Sequence, residues 1–154
     1  MTTPNRTRTP RLRGATPDDL PFVLRGERSY MEELEPAGLA SWTRAIDRNL
    51  DLWIRNLERT VIADLEGEPV GYAMWTATSG TATLITIQVA ETLRRRGLGA
   101  ELMAWFADSA RAAGNRVLEL GVHRDNPARA LYERSQYSFV GEDGDYLLFR
   151  RRLG

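Results

Sequence analysis

Leu84, Ile85, Ile87 and Val89 form an apolar, β-branched run broken only by Thr86 and Gln88, the pattern of a strand covered on both faces. Ala90 to Leu93 reads as a turn. After Arg94-Arg95-Arg96-Gly97-Leu98-Gly99-Ala100, the apolar positions Leu102, Met103, Trp105, Phe106 and Ala110 recur at helical spacing. Upstream, Leu12 opens a short strand ending near Ala15. Thr16-Pro17-Asp18-Asp19 then predicts a helix start, with Thr as cap, Pro at the first position and acids in the first turn. Leu20, Val23 and Leu24 give this helix its inner face to about Glu33, and Glu35-Pro36-Ala37-Gly38 interrupts it. Leu39, Trp42, Ile46, Leu50, Trp53 and Leu57 predict one further amphipathic helix, with Arg44, Asp47, Arg48, Asp51 and Arg55 on its solvated faces. Thr60 to Leu65 and Val70 to Thr78 are strands joined by Glu66-Gly67-Glu68-Pro69, a hairpin signal, and Ser79-Gly80 turns into the central strand. Past the long helix, Ala113-Gly114-Asn115 is a stop signal, and Val117, Leu118, Leu120 and Val122 form a strand. Asp125-Asn126-Pro127 starts a helix from Ala128 to about Ser135, and Phe139 to Gly141 with Tyr146 to Arg150 make a closing hairpin. The order β-α-α-β-β-β-α-β-α-β-β predicts a mixed α/β sheet with helices on both faces.

The chain has 154 residues, the length of one domain with a real core. Residues 1–10, rich in Thr, Arg and Pro, are expected to be a flexible lead-in, and residues 11–154 the domain itself. A hydrophobic content of 42% with 27% charged residues is ordinary for a water-soluble globular chain. The formal net charge is zero, which removes any global attraction to nucleic acid or to an acidic membrane. All 21 basic residues are Arg, a coding preference that also suits phosphate contacts. The absence of Cys excludes disulfides, thiol nucleophiles and thiolate metal sites, and His123 is the single His, so no metal site is expected. With no signal peptide and no membrane-spanning apolar run, a cytoplasmic enzyme or binding module is expected.

The chemistry gathers where the central strand meets the long helix. A helix start leaves main-chain N–H groups unpaired and carries partial positive charge. Gly97 and Gly99 remove the Cβ atoms that would block a ligand, so a phosphate can sit on main-chain donors there. No Lys-Ser/Thr follows Gly99, which excludes a P-loop, and the third glycine of the dinucleotide fingerprint is missing.

Arg94-x-x-Gly97-x-Gly99 resembles the acetyl-CoA signature of the GCN5-related N-acetyltransferase family, Gln/Arg-x-x-Gly-x-Gly/Ala. Asn126-Pro127-Ala128-Arg129-Ala130-Leu131-Tyr132 is similar to that family's second motif, Asn-x-x-Ala-x-x-Leu-Tyr, with Ala flanking its expected position. Where the family usually continues with Gly-Phe, this chain has Gln136-Tyr137. The resemblance runs from Leu12 onward. It implies a single-domain acyl-CoA N-acyltransferase fold, with a mixed, mostly antiparallel sheet and helices on both faces. It also implies acetyl-CoA as co-substrate and an amine-bearing acceptor, with neither nucleic acid nor membrane as partner; a homodimer is compatible with it.

By the same resemblance the main chain around Val89 pairs with the pantetheine arm. Arg94, Arg95, Arg96, Gly97, Leu98, Gly99 and Ala100 cradle the pyrophosphate, Asn126 contacts the cofactor arm, and Tyr132 protonates the departing thiolate. On the residues alone, Asn126 reads as a helix cap and Tyr132 as a core residue. The family often places a Glu base on the central strand, where this chain offers only Thr86 and Gln88. Glu27, Glu32, Glu33, Glu35 and His123 are the other candidates for a base, with water as the alternative. Glu27, Tyr30 and Glu33 are the expected acceptor-binding residues. Two other classes stay open: a non-catalytic acyl-CoA-sensing module, fed by the missing strand Glu, and a nucleic-acid binder, weakened by zero net charge.

Overall fold

A computed structural model describes residues 9–154 of the chain, so the expected lead-in falls outside it except for Thr9 and Pro10. Two tight turns organise the sheet. Glu66 and Gly67, at φ 53° and 90°, and Ser79 and Gly80, at 52° and 84°, each place consecutive residues in the left-handed region, the backbone of two-residue hairpins. They join β2 (Thr60–Leu65), β3 (Glu68–Thr78) and β4 (Thr81–Val89) into a meander, and β1 (Arg11–Gly14) pairs antiparallel with β2. Helix α4 (Leu98–Ala112) then carries the chain across the sheet, so β5 (Val117–His123) lies parallel to β4. The hairpin of β6 (Ser138–Asp143) and β7 (Tyr146–Arg152) returns with β7 inside, giving the order β1-β2-β3-β4-β5-β7-β6. Only the β4–β5 pair is parallel, so the sheet is mixed and mostly antiparallel, as expected.

Each face of the sheet has its own helical cover. Leu98, Leu102, Met103, Phe106, Ala107 and Ala110 of α4 are buried against one face, over Ala73, Trp75, Leu84, Leu118 and Leu120. Helix α1 (Leu20–Leu34) and helix α3 (Ile46–Arg55) cover the other through Val23 and Trp53, which pack with Ile62, Tyr72 and Met74. Full burial of a large apolar side chain is worth about 1.5–3 kcal/mol, so both layers hold the sheet. No helix among the described residues is long and apolar enough to cross a membrane.

Two features depart from the sequence pattern. The single helix expected over Leu39 to Leu57 is two, α2 (Leu39–Arg44) and α3, separated at Ala45. The Ala45 N–H is shared between the Ser41 and Trp42 carbonyls at 3.1 Å each, which tightens the turn and bends the chain without breaking the apolar spacing. Strand β4 carries a bulge. Met74 faces Thr86 and Trp75 faces Leu84, which leaves Ile85 as an extra residue. The parity of the strand flips across it. Ala82 and Leu84 before the bulge, and Ile87 and Val89 after it, pack on the α4 side. Ile85 packs on the α1 side, and Thr86 and Gln88 reach α1 itself.

Candidate active site

β4 and β5 pair only at Thr81–Val117, Ala82–Leu118 and Thr83–Glu119. Beyond that point β4 runs on to Val89 beside β3, and β5 runs on to His123 beside β7. The two inner edges therefore diverge, and their facing main-chain groups have no strand partner. Unpaired main-chain donors and acceptors at such an edge are a template for an extended ligand.

The splay opens onto the start of α4. A short turn, Glu91–Leu93, leads from β4 to Gly97, which caps the helix at φ 83°. A Cβ on Gly97 would meet nothing, so the glycine is there for its backbone conformation. Gly99 is there for closeness: a Cβ would stand 3.2 Å from a Leu131 methyl, so the bare residue lets α4 close on the segment after β5. The first bond of the helix runs from the Glu101 N–H to the Gly97 carbonyl. The N–H groups of Leu98, Gly99 and Ala100 therefore lie outside its ladder and face outward as donors. Arg94, Arg95 and Arg96 are all exposed, and Arg94 Nε donates to the Val89 carbonyl at 3.2 Å.

Tyr132 lies in α5 (Arg129–Arg134), buried on the α4 side of the sheet with its ring 6.3 Å from that of Phe149. Burial pushes its phenol up to about 12, and its hydroxyl has no hydrogen-bond partner among the described residues. Asn126 acts as a cap: its Oδ1 accepts the Ala128 N–H at 2.9 Å, and its amide acts as a donor towards the Tyr30 hydroxyl. The family's Gly slot is Gln136, held at φ 73°. Its Phe slot is Tyr137, a core residue whose hydroxyl is buried without a partner.

On the opposite face, Glu27 projects from α1 to the sheet. Its Oε2 accepts from Tyr72 Oη at 3.0 Å, from Thr86 Oγ1 at 3.0 Å and from Gln88 Nε2 at 3.5 Å. Burial pushes this carboxyl up to about 7, against the three donors that favour its charged form, and the charge of Glu35 pushes the same way as burial. Gly26 makes the contact possible. A Cβ there would stand 2.5 Å from the Tyr72 hydroxyl oxygen, so the glycine lets the Tyr72 ring lie against α1 inside a helix where glycine costs about 1 kcal/mol.

Beyond Glu27, the end of α1 is tied to the sheet. Tyr146 of β7 donates its hydroxyl to Glu35, at the end of α1, and the His123 ring stands edge-on to Tyr146 at 5.5 Å. The Tyr30 phenol is raised by burial and by Glu35, with Asn126 acting the other way. The structure thus brings together Glu27, Tyr30, Glu35, His123 and Asn126. Glu33 stays exposed on the outer side of α1, and Glu32 is exposed beside Arg28 at 3.5 Å. The sequence reading missed Gly26, Tyr72 and Tyr146. An isolated glycine inside a helical pattern was the one signal for the first two.

Residues 27–137 match the model of the acetyltransferase (GNAT) family. The chain belongs to that family. It is an acetyltransferase with acetyl-CoA as its co-substrate. Similar solved structures include the PaiA N-acetyltransferase of Thermoplasma acidophilum in complex with coenzyme A. That pair is 15% identical, covers 92% of this chain and 98% of the other, and has a TM-score of 0.79. A ribosomal-protein-alanine N-acetyltransferase of Brucella melitensis is 26% identical, with 93% and 99% covered and a TM-score of 0.73. Ard1 of Thermoplasma volcanium is 21% identical, with 95% and 99% covered and a TM-score of 0.77. Among curated proteins no match was found.

Proposed function

We propose that this acetyltransferase moves the acetyl group of acetyl-CoA to a primary amine of a small molecule, peptide or protein by direct attack on the thioester. The observation that carries the reading is the open edge between β4 and β5, which runs to the bare helix start at Gly97 to Ala100 and is reached by polar side chains from both faces. In this reading the Val89 main chain pairs with the pantetheine arm as an added strand. The N–H groups of Leu98, Gly99 and Ala100, with Arg94, Arg95 and Arg96, hold the pyrophosphate. Asn126 contributes its amide N–H groups, and Tyr132 protonates the leaving sulfur. The chain has no Cys to carry an acyl group, which favours direct transfer. The N-acetyltransferases among the similar structures support an amine as acceptor. Tyr30 and Glu35 border the mouth through which a cationic amine would enter. A cytoplasmic location, where acetyl-CoA is at hand, fits this reaction.

Thiol release from acetyl-CoA with a panel of amines, paired with calorimetry of coenzyme A, tests the proposal. The wild-type protein is expected to bind coenzyme A and to release thiol with at least one amine. Gly99→Glu places a negative charge among the phosphate donors and is expected to weaken coenzyme A by at least about tenfold, the effect of about 1.4 kcal/mol. Gly99→Ala presses on Leu131 without the charge and is expected to keep most of the affinity. A folded Gly99→Glu protein with unchanged affinity would refute the cradle. Coenzyme A binding with no thiol release by any amine would favour a sensing module instead.

A further inference from the structure

The central strand of this acetyltransferase carries no side chain able to take a proton at the amine side of the cleft. On that side it presents Thr86 and Gln88. Both side chains point to a carboxylate that comes from elsewhere. We infer that Glu27, delivered from helix α1 onto β4, is the general base that deprotonates the acceptor amine. The inference rests on the acetyl-transfer reading above.

The geometry supplies four reasons. First, Tyr72, Thr86 and Gln88 all donate to Oε2, and no described residue donates to Oε1. One oxygen is thus fixed by three donors from two strands, and the other keeps its lone pairs for a ligand. Second, Glu27 has no cationic partner among the described residues. The charged group acting on it is Glu35, an acid, alongside the polar Tyr72 of β3 and Thr86 and Gln88 of β4. A partly buried carboxylate without a counter-ion is set to receive one, and an ammonium supplies it. Third, Thr86 and Gln88 lie just past the β4 bulge, on the stretch of strand that has parted from β5. A thioester threaded through that opening would meet Glu27 on one face and Tyr132 on the other, so the proton acceptor and the proton donor stand on opposite sides of the reacting carbon. Fourth, the arrangement is built at a cost: glycine stands within α1 at position 26, where a Cβ would collide with the Tyr72 ring. Burial adds the chemical match, since a carboxyl raised to about 7 is a far better base near neutral pH than an ordinary one.

The step balances as follows. Glu27 Oε1 takes one proton from the ammonium, leaving a neutral amine and a neutral carboxyl. The nitrogen lone pair forms the C–N bond and the thioester carbonyl becomes an oxyanion. As the carbonyl re-forms, the C–S bond breaks with its electron pair on sulfur, which takes the Tyr132 proton. The remaining extra proton on nitrogen returns through water to the Tyr132 phenolate, and Glu27 releases its proton to solvent.

Steady-state kinetics against pH on the full chain tests this assignment. With the wild-type protein, kcat/KM for the amine should rise along an acid limb governed by a group near pH 7, beside the titration of the amine itself. Glu27→Gln keeps the hydrogen-bond geometry, and it should lower kcat by about 10²–10⁴-fold and remove that limb, with coenzyme A affinity unchanged by calorimetry. Tyr72→Phe removes one donor that stabilises the charged carboxylate and should move the limb to higher pH. A purely structural Glu27 would leave both pH profiles where they were. Glu27→Gln turning over at the wild-type rate with the same profile would overturn the assignment while leaving the acetyltransferase reading intact. Wild-type protein that binds coenzyme A yet acetylates no amine would overturn both.

Discussion

Two tyrosines on either side of one turn illustrate how differently the same side chain can be used. Tyr132 and Tyr137 are both buried, at 5% and 4% exposure, and burial raises both phenols. Tyr132 sits on the helix proposed to face the thioester. A thiol bound against it would be lifted by the same desolvation. Neither hydroxyl has a hydrogen-bond partner among the described residues, but only that of Tyr137 is fully shut off from solvent, and a buried hydroxyl left unpaired costs about 1–3 kcal/mol. The two Phe substitutions should therefore separate. Tyr132→Phe is expected to lower kcat by about 10²–10⁴-fold with little change in melting temperature. Tyr137→Phe is expected to raise stability by about 1 kcal/mol or more with activity intact. Thiol release and thermal melts on the pair decide it. An active Tyr132→Phe would make that ring core alone, and a destabilised Tyr137→Phe would mean that its hydroxyl has found water.

At the level of elements, the first strand and the first helix are joined through one guanidinium. Arg13 of β1 lies 2.9 Å from Asp19, at the entry to α1, and 3.2 Å from Asp64 of β2. Asp19 also accepts the Thr16 N–H at 2.8 Å, closing a capping box at the helix start that the Thr16-Pro17-Asp18-Asp19 run predicts. The Arg13 hydrogen bond holds the Asp19 carboxyl below its ordinary value of 3.8, against the effect of burial. Asp19→Asn keeps the shape and removes the charge. It should cost about 1–3 kcal/mol, since Arg13 loses its nearest partner and the cap weakens. Chemical denaturation at neutral pH reads this directly; a loss under about 0.5 kcal/mol would class the pair with ordinary surface ion pairs.

For the whole molecule, the two perturbed carboxyls pull stability in opposite directions with pH. The Asp19 pKa is lower in the folded chain, so its contribution is present above 3.8 and is lost as pH falls through its folded value. The Glu27 pKa is higher in the folded chain, so its contribution is full below its ordinary 4.5 and is lost as pH rises through about 7. Stability should therefore be greatest in mildly acid solution and decline towards neutrality. Glu27→Gln should flatten that decline, with a gain above pH 7 of at most roughly 3 kcal/mol. Melts of both proteins from pH 4 to 8 test it, and parallel curves would mean that Glu27 keeps an ordinary acidity. A gain in stability with a loss of turnover is the expected mark of a strained catalytic group.

Much of this protein is determined locally, and so was legible in the sequence. Period-2 and helical spacing mark most strands and helices, because burial of one face selects those periods. Acid-Gly and Ser-Gly pairs mark the hairpins, because their turns need positive φ. Gly97 at the head of α4 marks the helix start, because only the open backbone there accepts that conformation. The family motifs sit on these same local signals. The rest depends on which parts of the chain come to face each other. The Ile85 bulge reverses the strand's two faces and turns Thr86 and Gln88 towards α1, and an inserted residue in a ladder leaves no periodic trace. Gln136 takes the left-handed turn usually given to glycine, because Tyr132 and Tyr137 are both held in the core around it. Glu27 looked no different from Glu33 along the helix. Only the docking of α1 through Gly26 onto Tyr72, and the parting of β4 from β5, gave one of these acids three donors, a raised pKa and a place beside the open strand edge.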